Sequence, residues 1–242
     1  MNHSNFYKSI FSVLVLALML TTLPVLAQRS KIKGDGELVS QNRAVSGFKG
    51  INVSGGFAVE ITQGNSESVR IEAQENLLSS IQTEVKNGVL HIYTSNNITN
   101  SKGMKAYITL KELNSVSISG GVKVTGKSTF KANSFDLDMS GGSKVQLAID
   151  TKKLKMDMSG ASKVVLTGQA DEVAMDMSGA SKVDASELEA KRVRVGASGA
   201  SAVKVYAKDA LSIDASGATK VDYRGNPKIT STASPAAKIT QM

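Results

Sequence analysis

Hydrophobic and polar residues alternate over short segments in the second half of the chain. Before Ser178, the apolar residues Val173, Met175 and Met177 occupy every second position. One unit earlier, Val164 and Leu166 form a second alternating segment after Ser159. A period of two predicts β-strands with one buried face. Each unit therefore contains two predicted strands, which turns connect.

The unit returns at a nearly constant spacing. Residues 138–145 read DMSGGSKV, and residues 157–164 and 176–183 both read DMSGASKV. We call the serine at the third position the anchor serine, and successive anchor serines lie 18 to 21 residues apart. A period near twenty residues is typical of a solenoid, in which neighbouring repeats bury each other's apolar side. The anchor serines are Ser119, Ser140, Ser159, Ser178, Ser198, Ser216 and Ser234.

The repeats predict an all-β, single-domain parallel β-helix, or β-solenoid, with 18–21 residues per coil. Like strands of successive coils would lie about 4.8 Å apart, with columns of methionine and valine inside. The handedness rule for parallel crossovers predicts a right-handed helix. Glycine follows six of the anchor serines and suits a corner with positive φ. An antiparallel meander is the alternative, but the repeats lack the Asn-Gly and Asp-Gly turns of hairpins.

The first 27 residues have the pattern of a secretory signal peptide. Lys8 lies in a short polar start, an apolar run begins at Ile10, and small residues precede the bond between Ala27 and Gln28. We expect cleavage at that bond and export to the periplasm, the outer-membrane surface or the medium, with no transmembrane segment in the mature chain. A retained membrane anchor is the alternative, although Pro24 and polar residues interrupt the run. The chain has no cysteine, which excludes an acylated lipoprotein start and disulfides.

Two regions follow the signal peptide. Residues 28–43 are polar and show little periodicity, which predicts a linker. The predicted β-helix domain occupies residues 44–240. Ser119 lies 65 residues after Ser54, which leaves room for about three coils of the same length in between.

One stretch near the start of this domain resembles a known family. Residues 48–57 read FKGINVSGGF, and VEITQG and VRIEA follow at residues 59–64 and 69–73. These segments closely resemble the head GIN domain family, whose naming triplet stands here at residues 50–52. The family's members are typically secreted or envelope proteins of Bacteroidetes and are described as adhesins of autotransporter type. The resemblance covers residues 45–223 and implies a β-helical fold, an envelope location and no catalytic residue.

Charged residues also recur once per unit, and both sets are predicted to point into solvent. Aspartates stand two residues before the anchor serines, and lysines stand four residues after them. Stacked carboxylates repel one another by about 1 kcal/mol per neighbour in water, so some group should compensate their charge. The candidate surface residues are Asp138, Asp157, Asp176, Asp214, Lys144, Lys163 and Lys182.

Three explanations of the aspartates remain open at this point. The lysines, or Lys155 and Arg194 on the same outward strands, would balance their charge. Outward oxygens of Asp138, Asp157 and Asp176 would instead hold a calcium ion, which takes several oxygen ligands. The aspartates would otherwise act as acid and base on a carbohydrate, as paired carboxylates do in glycoside-cleaving enzymes.

The rest of the composition favours a protein without catalytic residues or a required cofactor. After cleavage His91 is the one remaining histidine, tryptophan is absent, and the sequence has no P-loop, dinucleotide fingerprint or Cys/His metal motif. Loss of residues 1–27 would leave 28 basic and 21 acidic residues. Because the lysines interleave with aspartates, they indicate a solvated exterior, and we expect no nucleic acid partner.

These observations predict a secreted or envelope-associated, noncatalytic β-helix that acts as an adhesin or surface-binding module. Its partner would be a surface glycan or another envelope component. The first alternative is a carbohydrate-active or carbohydrate-binding β-helix that uses the aspartates. The second is a structural envelope protein that self-associates as a homo-oligomer.

Overall fold

Residues 30–242 are described by a computed structural model, and most of them lie in β-strands. Lys31–Met242 form one compact unit. The predicted signal peptide, residues 1–27, and its cleavage bond lie outside the described residues. No helix within residues 30–242 is long and apolar enough to cross a membrane. The strands are β1 (Lys31–Lys33), β2 (Leu38–Arg43), β3 (Gly50–Gly55), β4 (Phe57–Gln63), β5 (Ser68–Gln74), β6 (Ile81–Lys86), β7 (Val89–Thr94), β8 (Asn97–Thr99), β9 (Met104–Leu110), β10 (Ser115–Gly120), β11 (Lys123–Met139), β12 (Lys144–Gly160), β13 (Lys163–Gly179), β14 (Lys182–Ala197), β15 (Ala202–Ala215), β16 (Lys220–Arg224), β17 (Lys228–Ala233) and β18 (Lys238–Gln241).

The strands β11 to β15 each carry the chain through most of one coil, and they stack in parallel. Asp157 pairs with Asp176, and Ser159 pairs with Ser178, so the register advances by one repeat per coil. The predicted β-solenoid with coils of 18–21 residues is therefore confirmed. One detail differs from the prediction. The strand expected after one anchor serine and the strand expected before the next join into a single strand of 14 to 17 residues. Pairing with the adjacent coil runs on both sides of the bend between them, with register shifts near the bend in three of the four pairs.

Apolar side chains from every coil fill the interior of the stack. Met158 and Met177 are 3% and 4% exposed, and Met156 and Met175 are buried as well. The alternation predicted this correctly, because every second side chain of a strand points to the same face. The register places Met156 beside Met175 and Met158 beside Met177 in adjacent coils. Their flexible, unbranched side chains can fill such a narrow interior.

The corners after the anchor serines require glycine. Gly179 has a φ of +94°, a conformation that residues with a side chain rarely adopt. A Cβ atom on Gly179 would also lie 2.6 Å from the carbonyl oxygen of Gly160 in the preceding coil. The same close approach recurs at the corners of the neighbouring coils, so the predicted role of these glycines is confirmed.

The coils near the start of the domain are not stacked in chain order. Strand β3 pairs in parallel with β7 on one side and with β10 on the other. Strand β4 likewise lies between β9 and β11. The coil formed by β3 and β4 is therefore inserted between a coil made from later residues, β7 and β9, and the coil that begins at β10.

The prediction of about three regular coils between Ser54 and Ser119 is wrong. Strands β7 and β9 form one coil, but β5 runs antiparallel to β9 and β6 runs antiparallel to β7. The β6–β7 turn at Asn87 and Gly88 has positive φ at both residues, as a tight hairpin turn requires. These antiparallel strands cover the edges of β7 and β9 and close that end of the stack.

The segment predicted to be a linker, residues 28–43, contributes two strands to the structure. Strand β1 pairs with β8, and β2 runs antiparallel to β5 with Arg43 beside Val69. The linker prediction is therefore wrong for the described part of this segment. The strand β2 lacks the alternation that would reveal it, because most of its side chains are exposed and backbone hydrogen bonds hold it in place.

Candidate functional site

The strand segments that end at the anchor serines form one continuous outward face, which we call the anchor face. Its outward side chains fall into columns that cross the coils, because neighbouring strands are in register. One column contains the anchor serines. The next column, two residues earlier in each coil, is the aspartate column. Its members in stacking order are Asn52, Ser117, Asp138, Asp157, Asp176, Gly196 and Asp214.

The aspartate and serine columns line a shallow groove of about 800 Å³. It extends from Asn52 in the inserted coil to Asp214 and Ser216. Its outward side chains are short and polar, and they recur once per coil, about every 4.8 Å. The groove is therefore a linear track of carboxylates and hydroxyls.

The charges of the aspartate column are only partly balanced. The Lys155 ammonium lies 2.6 Å from Asp157 Oδ2, which raises the pKa of Lys155. Within residues 30–242, Asp138, Asp176 and Asp214 make no ion pair closer than 4 Å. The pKa of Asp138 is raised, first by desolvation between the flanking strands and then by repulsion from Asp157 and from one further carboxylate.

The lysines that follow the anchor serines do not join the aspartates. Lys144, Lys163 and Lys182 stand beyond the corner, where they pair in register with one another at the start of successive strands. All three are exposed, and none contributes to the lining of the groove. Of the charge partners considered from the sequence, Lys155 contacts the column and the lysine column does not.

The geometry of the aspartate column does not favour the calcium hypothesis. Among the described residues, no three or more carboxylate or imidazole side chains converge as a metal site would require. The column offers carboxylates from one side of any ion, whereas calcium takes six to eight oxygen ligands around it.

Next to the aspartate column, the anchor face carries cations that the repeat pattern did not reveal. A second groove, of about 730 Å³, is lined by Lys153, Arg192, Arg194 and Lys228. Arg192 pairs with Glu172 of the preceding coil. Arg194 was considered from the sequence as a charge partner of the aspartates. The basic region as a whole was missed because the residue type at these positions changes from coil to coil, although their outward direction follows from the alternation.

A second serine, three residues after the anchor serine, is structural in the units at Ser143, Ser162, Ser181 and Ser201, and no sequence pattern distinguished it. Ser162 and Ser181 are 2% and 1% exposed, and each donates a hydrogen bond to a glycine carbonyl of the preceding coil. The anchor serines are more exposed. The Ser178 and Ser198 hydroxyls face main-chain carbonyls of the preceding coil at 3.5 and 3.3 Å.

The lone histidine of the described chain stands at the end of the aspartate column. His91 pairs in register with Asn52 on one side and with Glu84 of the antiparallel strand β6 on the other. It is separated from Asp138 by the coils of Asn52 and Ser117, so it does not join the anchor serines and aspartates in a catalytic triad.

Comparison with known proteins gives the same fold. A crystal structure of a putative adhesin from Bacteroides fragilis superimposes with a TM-score of 0.83 at 23% identity, covering 87% of this chain and 100% of that one. A putative lipid binding protein and a putative adhesin, both from Parabacteroides distasonis, give TM-scores of 0.74 and 0.73 at 19% identity, each over 88% of this chain and 100% of theirs.

Among proteins of curated function, none matches the chain significantly. One family does match, over residues 47–227, and its description is "Putative auto-transporter adhesin, head GIN domain". This match covers most of the chain and includes the residue triplet 50–52 that carried the resemblance. The protein therefore belongs to the head GIN domain family of putative auto-transporter adhesins.

Proposed function

We propose that the chain is a secreted, noncatalytic binding module of the cell envelope that attaches to its partner through the anchor face. The description of its family as adhesins supports this function. The observation that carries the proposal is the aspartate and serine track from Asp138 to Asp214, in which every coil presents a serine and every coil but that of Gly196 presents an aspartate. Such a track suits an extended partner with a repeating structure better than a single small molecule.

The partner we propose is a surface glycan or another envelope component. Carboxylates accept hydrogen bonds from sugar hydroxyls, and serine hydroxyls both donate and accept them. The open groove leaves both ends free, so a polymer can pass along it without entering a pocket. Water can bridge the remaining gaps, since polar interfaces are commonly hydrated.

A noncatalytic role agrees with the chemistry of the same side chains. Carboxylate pairs that cleave glycosides flank the scissile bond from two sides, whereas these aspartates point the same way from one sheet. The serines would need an adjacent base to become nucleophiles. Instead, the Ser198 hydroxyl donates to the carbonyl of Met177.

The decisive experiment measures retention of the purified mature chain on immobilised envelope polysaccharides. A variant with Asp138→Asn, Asp176→Asn and Asp214→Asn should lose at least tenfold in affinity, because amides replace the charged acceptors in the groove. A control variant with glutamine at Lys144, Lys163 and Lys182 changes three exposed charges outside the groove and should bind within twofold of the wild type. Equal retention of the two variants would exclude the groove as the binding surface.

Secretion is part of the proposal and has its own test. Expression of the full chain in a Gram-negative host, followed by N-terminal sequencing or intact-mass measurement, should yield a mature form that begins at Gln28. A chain that keeps residues 1–27 at the inner membrane would contradict export by signal cleavage and favour an anchor.

A further inference from the structure

Charges without a close ion pair in the described part of the chain form two parallel stripes on the anchor face. Asp138, Asp176 and Asp214 form the acidic stripe in the aspartate column. The basic stripe lies two to four residues earlier in the coils and contains Lys153, Arg194 and Lys228. Within residues 30–242, no ion pair closer than 4 Å involves any of these six side chains.

The other charges of the anchor face are largely balanced inside one copy. Lys155 pairs with Asp157, and Arg192 pairs with Glu172. Asp136 is the exception on the basic side. The pKa of Lys155 is raised mainly by Asp157, and Asp138 and Asp136 add smaller contributions. Among the described residues, three acids on one side and three bases on the other therefore lack an ion pair closer than 4 Å.

The two stripes also alternate along the stack. Counting coils from Asp138, the acids occupy the first, third and fifth coils, and the bases occupy the second, fourth and sixth. The stripes are separated by about 7 to 13 Å, because each residue of a strand advances about 3.3 Å. The face is therefore bipolar across the coils and staggered by one coil along them.

We propose that the anchor face binds the anchor face of a second copy of the chain, about a two-fold axis that runs parallel to the stack between the stripes. Rotation about this axis places the acidic stripe of each copy over the basic stripe of the other. Because the stripes are staggered, each aspartate then lies one coil, about 4.8 Å along the stack, from a lysine or arginine of the other copy. The long side chains of these bases can span that distance. A two-fold axis across the stack would instead place acid on acid.

A second copy fits this face better than a uniformly charged partner. A polyanion on the basic stripe would be repelled by the acidic stripe, which lies within about one Debye length of 8 to 10 Å. A polycation on the acidic stripe would likewise be repelled by the basic stripe. Short side chains among the basic residues leave space for the close approach of a second sheet. They belong to Ala174, Ala210 and Ser212.

The size of the face predicts a weak complex. It spans about 20 Å from the basic stripe to the serines and about 24 Å over the six coils, so pairing would bury about 1,000 Å² in total. Stable interfaces bury about 1,200–2,000 Å², and interfaces dominated by exposed charge are sensitive to salt. We expect association in the micromolar range or weaker, and at least tenfold weaker at 500 mM salt than at 50 mM.

This inference rests on the proposed function, since it names a partner for the same face, and charge exchange tests it directly. One variant carries Asp138→Lys, Asp176→Lys and Asp214→Lys, and the other carries Lys153→Glu, Arg194→Glu and Lys228→Glu. Sedimentation of the mature chain over a concentration series should show that neither variant self-associates, whereas an equimolar mixture forms heterodimers. A control with Lys144→Glu, Lys163→Glu and Lys182→Glu should dimerise like the wild type.

Circular dichroism and thermal unfolding first establish that all three variants are folded. A wild-type chain that stays monomeric at 50 mM salt and millimolar concentration overturns the inference. So does a mixture of folded variants that fails to associate, or a control that loses the dimer as well. Polysaccharide retention below the dimerisation concentration separates the two proposals: retention without dimers rejects this inference alone, and dimers without retention reject the glycan partner.

Discussion

The hydroxyl of Ser181 donates a hydrogen bond of 3.2 Å to the carbonyl oxygen of Gly160 in the preceding coil. The same carbonyl accepts the backbone N–H of Ala180 at 2.9 Å. Ser162 makes the equivalent bond to Gly141 one coil earlier. Where the repeat has a second serine three residues after the anchor, a side-chain hydrogen bond therefore joins the corner to the preceding coil in addition to the backbone bond. These serines are Ser143, Ser162, Ser181 and Ser201.

Replacement of Ser181 by alanine should lower the free energy of unfolding by about 1 kcal/mol, the usual net value of one intramolecular hydrogen bond. The loss stays modest because the Gly160 carbonyl keeps its backbone donor. Ser178→Ala is the matched control, since its hydroxyl is exposed and lies 3.5 Å from the nearest acceptor. Urea unfolding should place the control within about 0.5 kcal/mol of the wild type. Equal losses for the two variants would contradict the role of the buried serine.

Replacement of Gly179 by alanine should be far more costly. The methyl group would lie 2.6 Å from the Gly160 carbonyl oxygen, and the φ of +94° is unfavourable for alanine. We expect a loss of about 2–4 kcal/mol, the sum of backbone strain and displacement of the adjacent coil. Thermal unfolding monitored by circular dichroism measures it.

Gly142 provides the control for this change. A Cβ atom there meets no atom within 4 Å, and the equivalent positions of later repeats already hold Ala161 and Ala180. Gly142→Ala should therefore be neutral or stabilise the fold by up to about 1 kcal/mol, since alanine restricts the unfolded chain. A large loss at Gly142 would show that the corners tolerate no side chain at all, contrary to this account.

The glycine of the family's triplet has a different physical reason. Gly50 lies in the inserted coil between β7 and β10, and a Cβ atom on it would overlap Ser115 Oγ and approach Val89. Gly50→Ala should cost about 1 kcal/mol, because the Ser115 hydroxyl has to leave its present rotamer. Adding Ser115→Ala removes the overlapping atom and should restore most of that loss. A double variant whose unfolding free energy is the simple sum of the single effects would rule out this contact as the cause.

The repeats made the regular part of the fold predictable. A strict period of two fixed which side chains are buried, so Met158 and Met177 were placed inside correctly. The constant spacing of the anchor serines fixed the coil length and brought the aspartates into one column. The columns follow from local periodicity alone, because each coil contacts only its neighbours.

The less regular features could not be predicted in the same way. The insertion of β3 and β4 between later coils depends on pairing between residues distant in sequence, which no local pattern encodes. Strand β2 is held by backbone bonds and has no apolar alternation. The basic stripe was missed because the residue type changes from coil to coil within a column. Lys153 and Lys228 share one column with Glu172 and Ala210, and Arg194 stands in the next outward column.

The raised pKa of Asp138 predicts how stability depends on pH. The folded chain binds a proton at Asp138 more readily than the unfolded chain, so stability falls as pH rises from the ordinary aspartate value through the raised folded value. Asp138→Asn removes this dependence. The variant should match the wild type's stability at low pH and exceed it by up to about 1 kcal/mol above that window, as expected for an exposed charge. A stability difference that does not change with pH would contradict the prediction.

Asp184 provides the same test with the opposite sign. The Ser186 hydroxyl donates a hydrogen bond of 2.6 Å to Asp184 Oδ1, and this bond is the main cause of the lowered pKa of the carboxyl. The stabilisation is therefore present above the unfolded pKa and is lost as pH falls through the lower folded value. Asp184→Asn should reduce the unfolding free energy by about 1 kcal/mol at pH 7, and the reduction should shrink in acid. Urea unfolding between pH 3 and 7 measures the stability difference between each asparagine variant and the wild type. With rising pH, this difference should become more favourable for Asp138→Asn and more unfavourable for Asp184→Asn. Differences that follow the same pH dependence would show that the two carboxyls do not differ in environment.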